Sequence, residues 1–447
     1  MVTSATHFDA ATVKAGAPPV TGRSGQGTGI PDYRRTRPGM PLAGLLEEIQ
    51  RVADLPLERS EAFPAAAYTS PEFLDWEVDN VLGAGWIGLA HISQIPAPGD
   101  FLNVDALGEP LIIVRGKDGE IRVLSRVCPH RAMDIMPPGF GYDGHGPADA
   151  RSGSPGCGHT RLFLCPYHHW SFELDGALKG CPEMHKADGF RRDEVGLKSF
   201  RCEVWHGFVF VNLSGSAAPV AECYAELGDD IAGWETAKMS LVIAKEWDCP
   251  FNWKVLVENF MEAYHHLGTH CKTLQPLMPA RDTWTAGERA HSMRVNLPFK
   301  AGTGDGRDLD FPTIPTLPAD QLYQMAVYLG QPSFLLFTGP DRMFWYRIEP
   351  VTPDRSRLLT TCLVNDSALA DPRYPEKLAA AERMLVDFHL EDMEVCTAVQ
   401  RGLHATGYQR GRLSHLEMPV WLFQRYLAAR ARGTYPTLDR PPAPAQK

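Results

Sequence analysis

Two short motifs carry the residue types that bind transition metals. Cys128-Pro129-His130 and Cys165-Pro166-Tyr167-His168 each offer one thiolate and one imidazole. Two such loops, each closing a strand, can hold a pair of irons asymmetrically, sulfurs on one iron and nitrogens on the other. Neutral imidazoles in place of thiolates raise the reduction potential above that of all-cysteine clusters. A Cys₂His₂ zinc site is the other reading, but such sites normally pair cysteine with cysteine and histidine with histidine. The mixed pairs therefore point to a [2Fe–2S] cluster. The proline in each loop has a fixed φ and no N–H, which suits a rigid tip. Cys157-Gly158-His159 repeats the C-x-H spacing, but it follows a Gly/Ser-rich run over 151–156 that is too flexible to aim a ligand. Cys128 and His130 are preferred because a strand leads directly into them. His169 breaks the C-x-x-H spacing and is expected to face solvent or support its neighbour.

The second constellation runs from Asn252 to His270. At about 100° per residue, Asn259, Glu262 and His266 share one stripe of a helix expected over 252–266, with His265 beside it. Such polar groups on a largely apolar helix are costly to bury unless paired or metal-bound. His265 and His270 are five residues apart and cannot converge on an unbroken helix, so Gly268 is expected to break it. Two histidines need one carboxylate to complete the facial triad of a non-heme Fe(II) site. The acidic helix around Glu391-Asp392 is the source, with Asp387, Glu391 and Asp392 all in contention.

These motifs, in this order, resemble the large (α) subunit of the Rieske non-heme iron, ring-hydroxylating-type oxygenases over residues 68–430. The stretch 252–284 is similar to the choline, glycine-betaine and carnitine monooxygenase branch. The resemblance implies a [2Fe–2S] cluster on Cys128, His130, Cys165 and His168, and a mononuclear Fe(II) on His265, His270 and Asp392. It implies that Glu262 bridges an iron-bound histidine to a cluster histidine of a neighbouring subunit, and that Asn259 stands near the iron as a weak ligand or none. The reaction it implies is O₂-dependent monooxygenation, either hydroxylation or oxidative N- or O-dealkylation. The alternatives are aromatic-ring cis-dihydroxylation and, in another class, a Rieske electron carrier. A homotrimer is expected, and the family also admits a β subunit and a ferredoxin. Trp284, Phe344, Trp345 and Tyr346 are candidates for a cage around a quaternary ammonium, against a plain core role.

The elements that must position these residues change character along the chain. Residues 1–67 read as a flexible arm followed by a first helix over 42–52. Ser70-Pro71 is a helix start, with serine as N-cap and proline at the first helical position. Strands are expected over 101–104, 110–115, 121–127, 162–165, 170–174 and 204–213, with turns at Lys117-Asp118-Gly119-Glu120 and Asp175-Gly176. Residues 68–215 are thus expected to form a small antiparallel β domain, the Rieske domain, with an inserted loop over 136–160. Residues 216–432 mix helices (219–227, 375–403, 418–432) with paired strands (333–350, 358–364). The fold class is α+β, of the helix-grip type the resemblance implies. Residues 433–447 read as a disordered tail.

Composition narrows the partners. With 44 basic and 54 acidic residues the net charge is −10, and no basic run exceeds Arg34-Arg35-Thr36-Arg37, so no nucleic-acid footprint is expected. No apolar run approaches the roughly 18 residues of a membrane helix. Residues 1–11 show no export signal, and the ten cysteines then read as thiols or ligands in a cytoplasmic protein. No Gly-rich nucleotide loop is present, so electrons are expected from a separate NAD(P)H-dependent reductase.

Overall fold

The computed structural model describes residues 39–136, 157–301 and 311–435. Most of the expected arm, nearly all of the inserted loop and most of the tail lie outside the described residues. The chain divides into two compact units, one formed by residues 87–215 and the other by residues 39–86 with 216–435. Among the described residues no helix is long and apolar enough to cross a membrane.

The first unit is antiparallel β. Its strands are β1 (Ile87–His91), β2 (Asp100–Ala106), β3 (Glu109–Arg115), β4 (Ile121–Ser125), β5 (Cys157–His159), β6 (Phe163–Leu164), β7 (Ser171–Phe172), β8 (Leu178–Gly180), β9 (Ser199–Trp205) and β10 (Phe208–Asn212). Seven of them form a sheet in the order β1-β10-β9-β4-β3-β2-β5, and β6-β7-β8 form a smaller sheet. Gly119 (φ +85°) and Gly176 (φ +92°) make the two expected turns, where a side chain would strain the backbone. The strand expected over 204–213 is instead a hairpin. His206 and Gly207 both take left-handed φ and turn β9 back into β10, the geometry of a two-residue hairpin loop. Phe101, Ile112, Leu124, Phe163, Trp170 and Phe172 fill a core that extends to Cys128 and Cys165.

The second unit contains β11 (Ser240–Cys249), β12 (Trp284–Thr285), β13 (Ser292–Pro298), β14 (Gln324–Gly330), β15 (Phe334–Thr338), β16 (Met343–Thr352) and β17 (Arg355–Val364). They form one antiparallel sheet in the order β11-β17-β16-β15-β14-β13-β12. The stretch 333–350 is therefore two strands, β15 and β16, joined by a tight turn in which Gly339 donates to the Arg342 carbonyl. The α-helices longer than four residues are α1 (Leu42–Ala53), α2 (Pro71–Glu77), α3 (Ala225–Ile231), α4 (Trp253–Phe260), α5 (Tyr374–His404) and α6 (Met418–Arg432) among the described residues. Ser70 caps α2 as its sequence suggests, its hydroxyl accepting from Phe73 N–H at 3.2 Å. The long helix α5 lies on the sheet. Phe388 meets Phe337 and Phe344 edge-on, and His389 rests on Trp247 of β11.

The division at Ile87 puts α2 with the second unit, although the sequence reading attached this helix to the β domain. The reason is a buried ion pair. Lys254 of α4 and Glu77 of α2 are both 0 % exposed, with Nζ 2.8 Å from each carboxylate oxygen. Trp253 Nε1 also donates to Glu77, and the ammonium lies over the Tyr68, Phe73 and Trp253 rings. A buried pair loses more when one partner is removed than when both become apolar. Lys254→Met should lower stability by about 3–5 kcal/mol, while Glu77→Leu/Lys254→Met should recover most of that loss. Chemical denaturation of the three proteins checks the order; equal losses in the single and double variants would contradict it.

Candidate metal centres

The cluster loops are alike in backbone although their motifs differ in spacing. Cys128 N–H donates to the Met133 carbonyl and Ala132 N–H to the Cys128 carbonyl; Cys165 N–H donates to the Trp170 carbonyl and His169 N–H to the Cys165 carbonyl. Each loop thus closes by the same i+4 and i+5 bonds, with its i+4 residue left-handed, Ala132 at φ 54° and His169 at φ 57°. His169 is exposed and serves the loop through its backbone. The two thiols are buried side by side, and burial together with the neighbouring Cys165 pushes the Cys128 thiol up to about 11. The His130 and His168 rings meet edge-on at 4.7 Å, and Trp170 stacks on His130. His168 Nδ1 is buried with no hydrogen-bond partner among the described residues. Two adjacent buried thiols and an orphaned imidazole nitrogen are what an inserted [2Fe–2S] cluster satisfies.

Cys157 is held differently from the expectation. The run over 151–156 lies outside the described residues, and Cys157 itself starts strand β5, which pairs with β2 and sets Cys157 opposite Leu102. His159 Nδ1 bonds Asp100 Oδ1 at 2.9 Å. The His159 ring is thus engaged by Asp100 and, among the described residues, the pair is not part of the paired Cys128 and Cys165 loops.

The second site forms where a helix stops early. Asn252 caps α4, its side-chain oxygen accepting from Lys254 N–H, but α4 ends at Phe260 instead of continuing to 266. The Glu262 carboxylate takes His265 N–H at 3.0 Å and starts a separate turn over Tyr264–Leu267. That turn ends at Gly268 (φ −109°), before His270 as expected, but the main helix has already stopped at Phe260. The stripe of Asn259, Glu262 and His266 is lost with the helix, yet the chemistry converges.

His265, His270 and Asp392 present ligand atoms that all lie within 4.8 Å of one another. Asp392 Oδ1 is 3.0 Å from His270 Nε2 and 3.6 Å from His265 Nε2. Each ring is oriented from behind by another carboxylate. His265 Nδ1 bonds Glu262 Oε1 at 2.8 Å, and His270 Nδ1 bonds Glu391 Oε2 at 2.7 Å. With a proton on each Nδ1, both Nε2 lone pairs face Asp392, an arrangement that calls for a cation between them. Burial opposes a charge on His270, but Asp392 and Glu391 on its two sides raise its pKa overall. Two imidazoles and one carboxylate form the donor set of a non-heme Fe(II) centre.

The other candidates fall outside that donor set. His266 donates from Nδ1 to the Met278 carbonyl, and burial presses it to about 4, so it stays neutral. Asn259 donates to Asp392 Oδ1 at 3.3 Å and accepts from the Cys396 thiol. Thr273 donates to the same Glu391 oxygen that holds His270. Thr273, Cys396 and the supporting role of Glu391 were not read from sequence; only the adjacency of Glu391 to Asp392 hinted at the last. Asp387 takes no part in the converging group. The four aromatic residues do not assemble into a cage, and Phe344, Trp345 and Tyr346 take the plain core role instead. Trp284 is exposed on β12, and Trp345 points to the opposite face of β16 from Phe344 and Tyr346.

Comparison with known proteins places these sites in context. Residues 85–201 match the family described as the Rieske [2Fe-2S] domain, and residues 236–433 match the ring hydroxylating alpha subunit (catalytic domain). The chain is 31 % identical to the carnitine monooxygenase oxygenase subunit of Escherichia coli K12, over 78 % of this chain and 86 % of that protein. It is 25 % identical to the chloroplastic choline monooxygenase of Arabidopsis thaliana, over 83 % and 82 %. A solved quaternary ammonium Rieske monooxygenase has a similar fold, with TM-score 0.71 and 22 % identity, covering 89 % of this chain and all of the other.

The geometry separates ligand from support. Asp392→Ala should lose the mononuclear iron, while Glu391→Ala should keep it with an affinity lower by roughly 10–100-fold. Both should keep the visible spectrum of the cluster, as should Cys157→Ser. Metal analysis with absorption spectroscopy checks this; an iron-free Glu391→Ala beside an iron-loaded Asp392→Ala would reverse the assignment.

Proposed function

The chain belongs to the family of Rieske non-heme iron oxygenase alpha subunits, and on that premise we propose that it removes an N-alkyl group from a quaternary ammonium compound by monooxygenation. The family's two cofactors are a [2Fe–2S] cluster and a mononuclear iron. The observation that carries the reading is the convergence of His265, His270 and Asp392 in a chain whose other unit presents the paired cysteine–histidine loops. An electron carrier has no use for the second donor set. The relatives named above as carnitine and choline monooxygenases support a quaternary ammonium substrate.

In this proposal Cys128, Cys165, His130 and His168 hold the cluster, and His265, His270 and Asp392 hold the iron. When bound, the cluster supplies single electrons and the iron activates O₂. The protein's own work is orientation. Trp170 fixes the plane of His130 by stacking. Glu262 and Glu391 hold the Nδ1 protons and turn both Nε2 lone pairs inward. Cys396 sets the Asn259 amide so that its N–H₂ faces Asp392. The net reaction balances as substrate, O₂, NAD(P)H and a proton giving an aldehyde, a tertiary ammonium ion, NAD(P)⁺ and water.

Electrons arrive from a separate NAD(P)H reductase, with or without a ferredoxin, and the assembly is a cytoplasmic homotrimer. Inter-subunit electron transfer, described for the structurally similar quaternary ammonium monooxygenase, supports this arrangement. Glu262 is the residue we assign to that transfer. Its oxygens serve His265 within the subunit, and each carboxylate oxygen retains a lone pair for an imidazole N–H of a neighbouring cluster.

Two measurements test the reading. Turnover with a surrogate reductase across betaines, N-trimethyl alcohols and aromatic hydrocarbons should release aldehyde and trimethylamine from an ammonium substrate. A cis-diol from an aromatic ring would replace the reading by dihydroxylation. Glu262→Gln should keep both metal sites and a reducible cluster while product per single turnover slows by orders of magnitude. Normal single-turnover kinetics in that variant would remove Glu262 from the electron path.

A further inference from the structure

The second unit buries polar atoms that the iron site does not use. His389 is 1 % exposed, and neither ring nitrogen has a hydrogen-bond partner among the described residues. Tyr346 is 3 % exposed, and its hydroxyl is likewise without a partner. Native proteins leave few such groups, so three of them on two neighbouring side chains mark a place that a polar occupant would satisfy.

Their place in the fold says what kind. His389 lies one turn before Asp392 on α5 and so shares its face. Its ring rests on Trp247 at 4.3 Å and meets the Tyr346 ring edge-on at 6.2 Å. Tyr346 in turn touches Phe260, the last residue of α4, at 5.2 Å. The pair therefore links α5, which carries Asp392, to β16, with the Trp247 ring of β11 and the Phe260 ring of α4 against it.

The chemistry on offer is uncharged. Burial presses the His389 imidazolium down to about 4, leaving one N–H and one lone pair. Burial first, and the Asp392 charge second, hold the Tyr346 phenol above its ordinary range and therefore protonated. Two neutral donors near a fixed carboxylate suit an acceptor without negative charge of its own.

We propose that His389 and Tyr346 form a subsite that binds an uncharged oxygen function of the substrate, a hydroxyl or a carbonyl. The inference rests on the quaternary ammonium reading, since it names what the same substrate carries away from its nitrogen. It also explains why two buried polar side chains are present where the wall is otherwise aromatic.

The test uses the full holoenzyme, anaerobic, and titration calorimetry. The probes are ω-hydroxyalkyl-trimethylammonium ions of graded chain length, their counterparts with methyl in place of hydroxyl, and the tert-butyl alcohols that replace nitrogen by carbon. At the length that reaches the pair, changing hydroxyl to methyl should weaken binding about tenfold. Tyr346→Phe, which removes one oxygen and nothing else, should erase most of that difference while methyl-terminated ammonium ions bind as before. His389→Phe should do the same, and Tyr346→Phe alone decides the matter if His389→Phe does not fold. A flat response to hydroxyl in the unaltered enzyme, or an undiminished preference in both variants, overturns the subsite and leaves water as its occupant. A carboxylate-terminated series that binds tighter than the hydroxyl series overturns the uncharged assignment. Equal binding of the tert-butyl and ammonium alcohols overturns the ammonium reading alone, with the hydroxyl step still measurable.

Discussion

One carboxylate oxygen organises the second unit. Asp392 Oδ1 is approached by His270 Nε2, His265 Nε2 and Asn259 Nδ2, and the backbone around it is arranged to make that approach. The helix α4 stops at Phe260, so that a new turn carries His265 inward, and the long α5 runs far enough to bring Asp392 opposite. Negative charge dominates the immediate surroundings, with Glu262 and Glu391 behind the two imidazoles. A folded protein tolerates such a group only when a cation or protons offset it, and the inward lone pairs favour the cation.

The cluster unit solves a different problem by repetition. Two loops with unequal spacing, C-x-H and C-x-x-H, reach the same closure because the backbone bonds count from the cysteine and not from the histidine. The left-handed residues Ala132 and His169 absorb the reversal in each loop. Burying both thiols in the apolar core keeps water from them, and the histidines at the loop tips remain nearer the surface. Thiols inside and imidazoles outside is thus a consequence of where the core ends.

How far the sequence could be read depends on whether a residue's role is local. The candidate ligands were legible because their types and spacing are rare, and Ser70-Pro71, Asp175-Gly176 and the 418–432 helix were legible because capping, turn chemistry and periodicity act over a few residues. The end of α4 was not, since no glycine or proline marks it and a side-chain carboxylate three residues before His265 decides it. Strands such as Ser292–Pro298 and Gln324–Gly330 are buried along most of their length and lack the alternation that announces a strand. The Glu391–His270–Thr273 link joins residues 121 and 118 positions apart, and only the folded chain brings them together. The core role of Phe344, Trp345 and Tyr346 was the simpler of the two readings, and a cage is barred because adjacent residues of one strand point to opposite faces.

The central claim is that His265, His270 and Asp392, and not the carboxylates beside them, bind the iron. Anomalous diffraction at the iron absorption edge from crystals of the loaded protein measures this directly. Besides the signal of the cluster irons, the account predicts one separate peak bonded to both Nε2 atoms and to Asp392, with Glu262 and Glu391 still hydrogen-bonded to the Nδ1 atoms. A peak bonded to Glu391 or Glu262, or one on an Nδ1 atom, would contradict it.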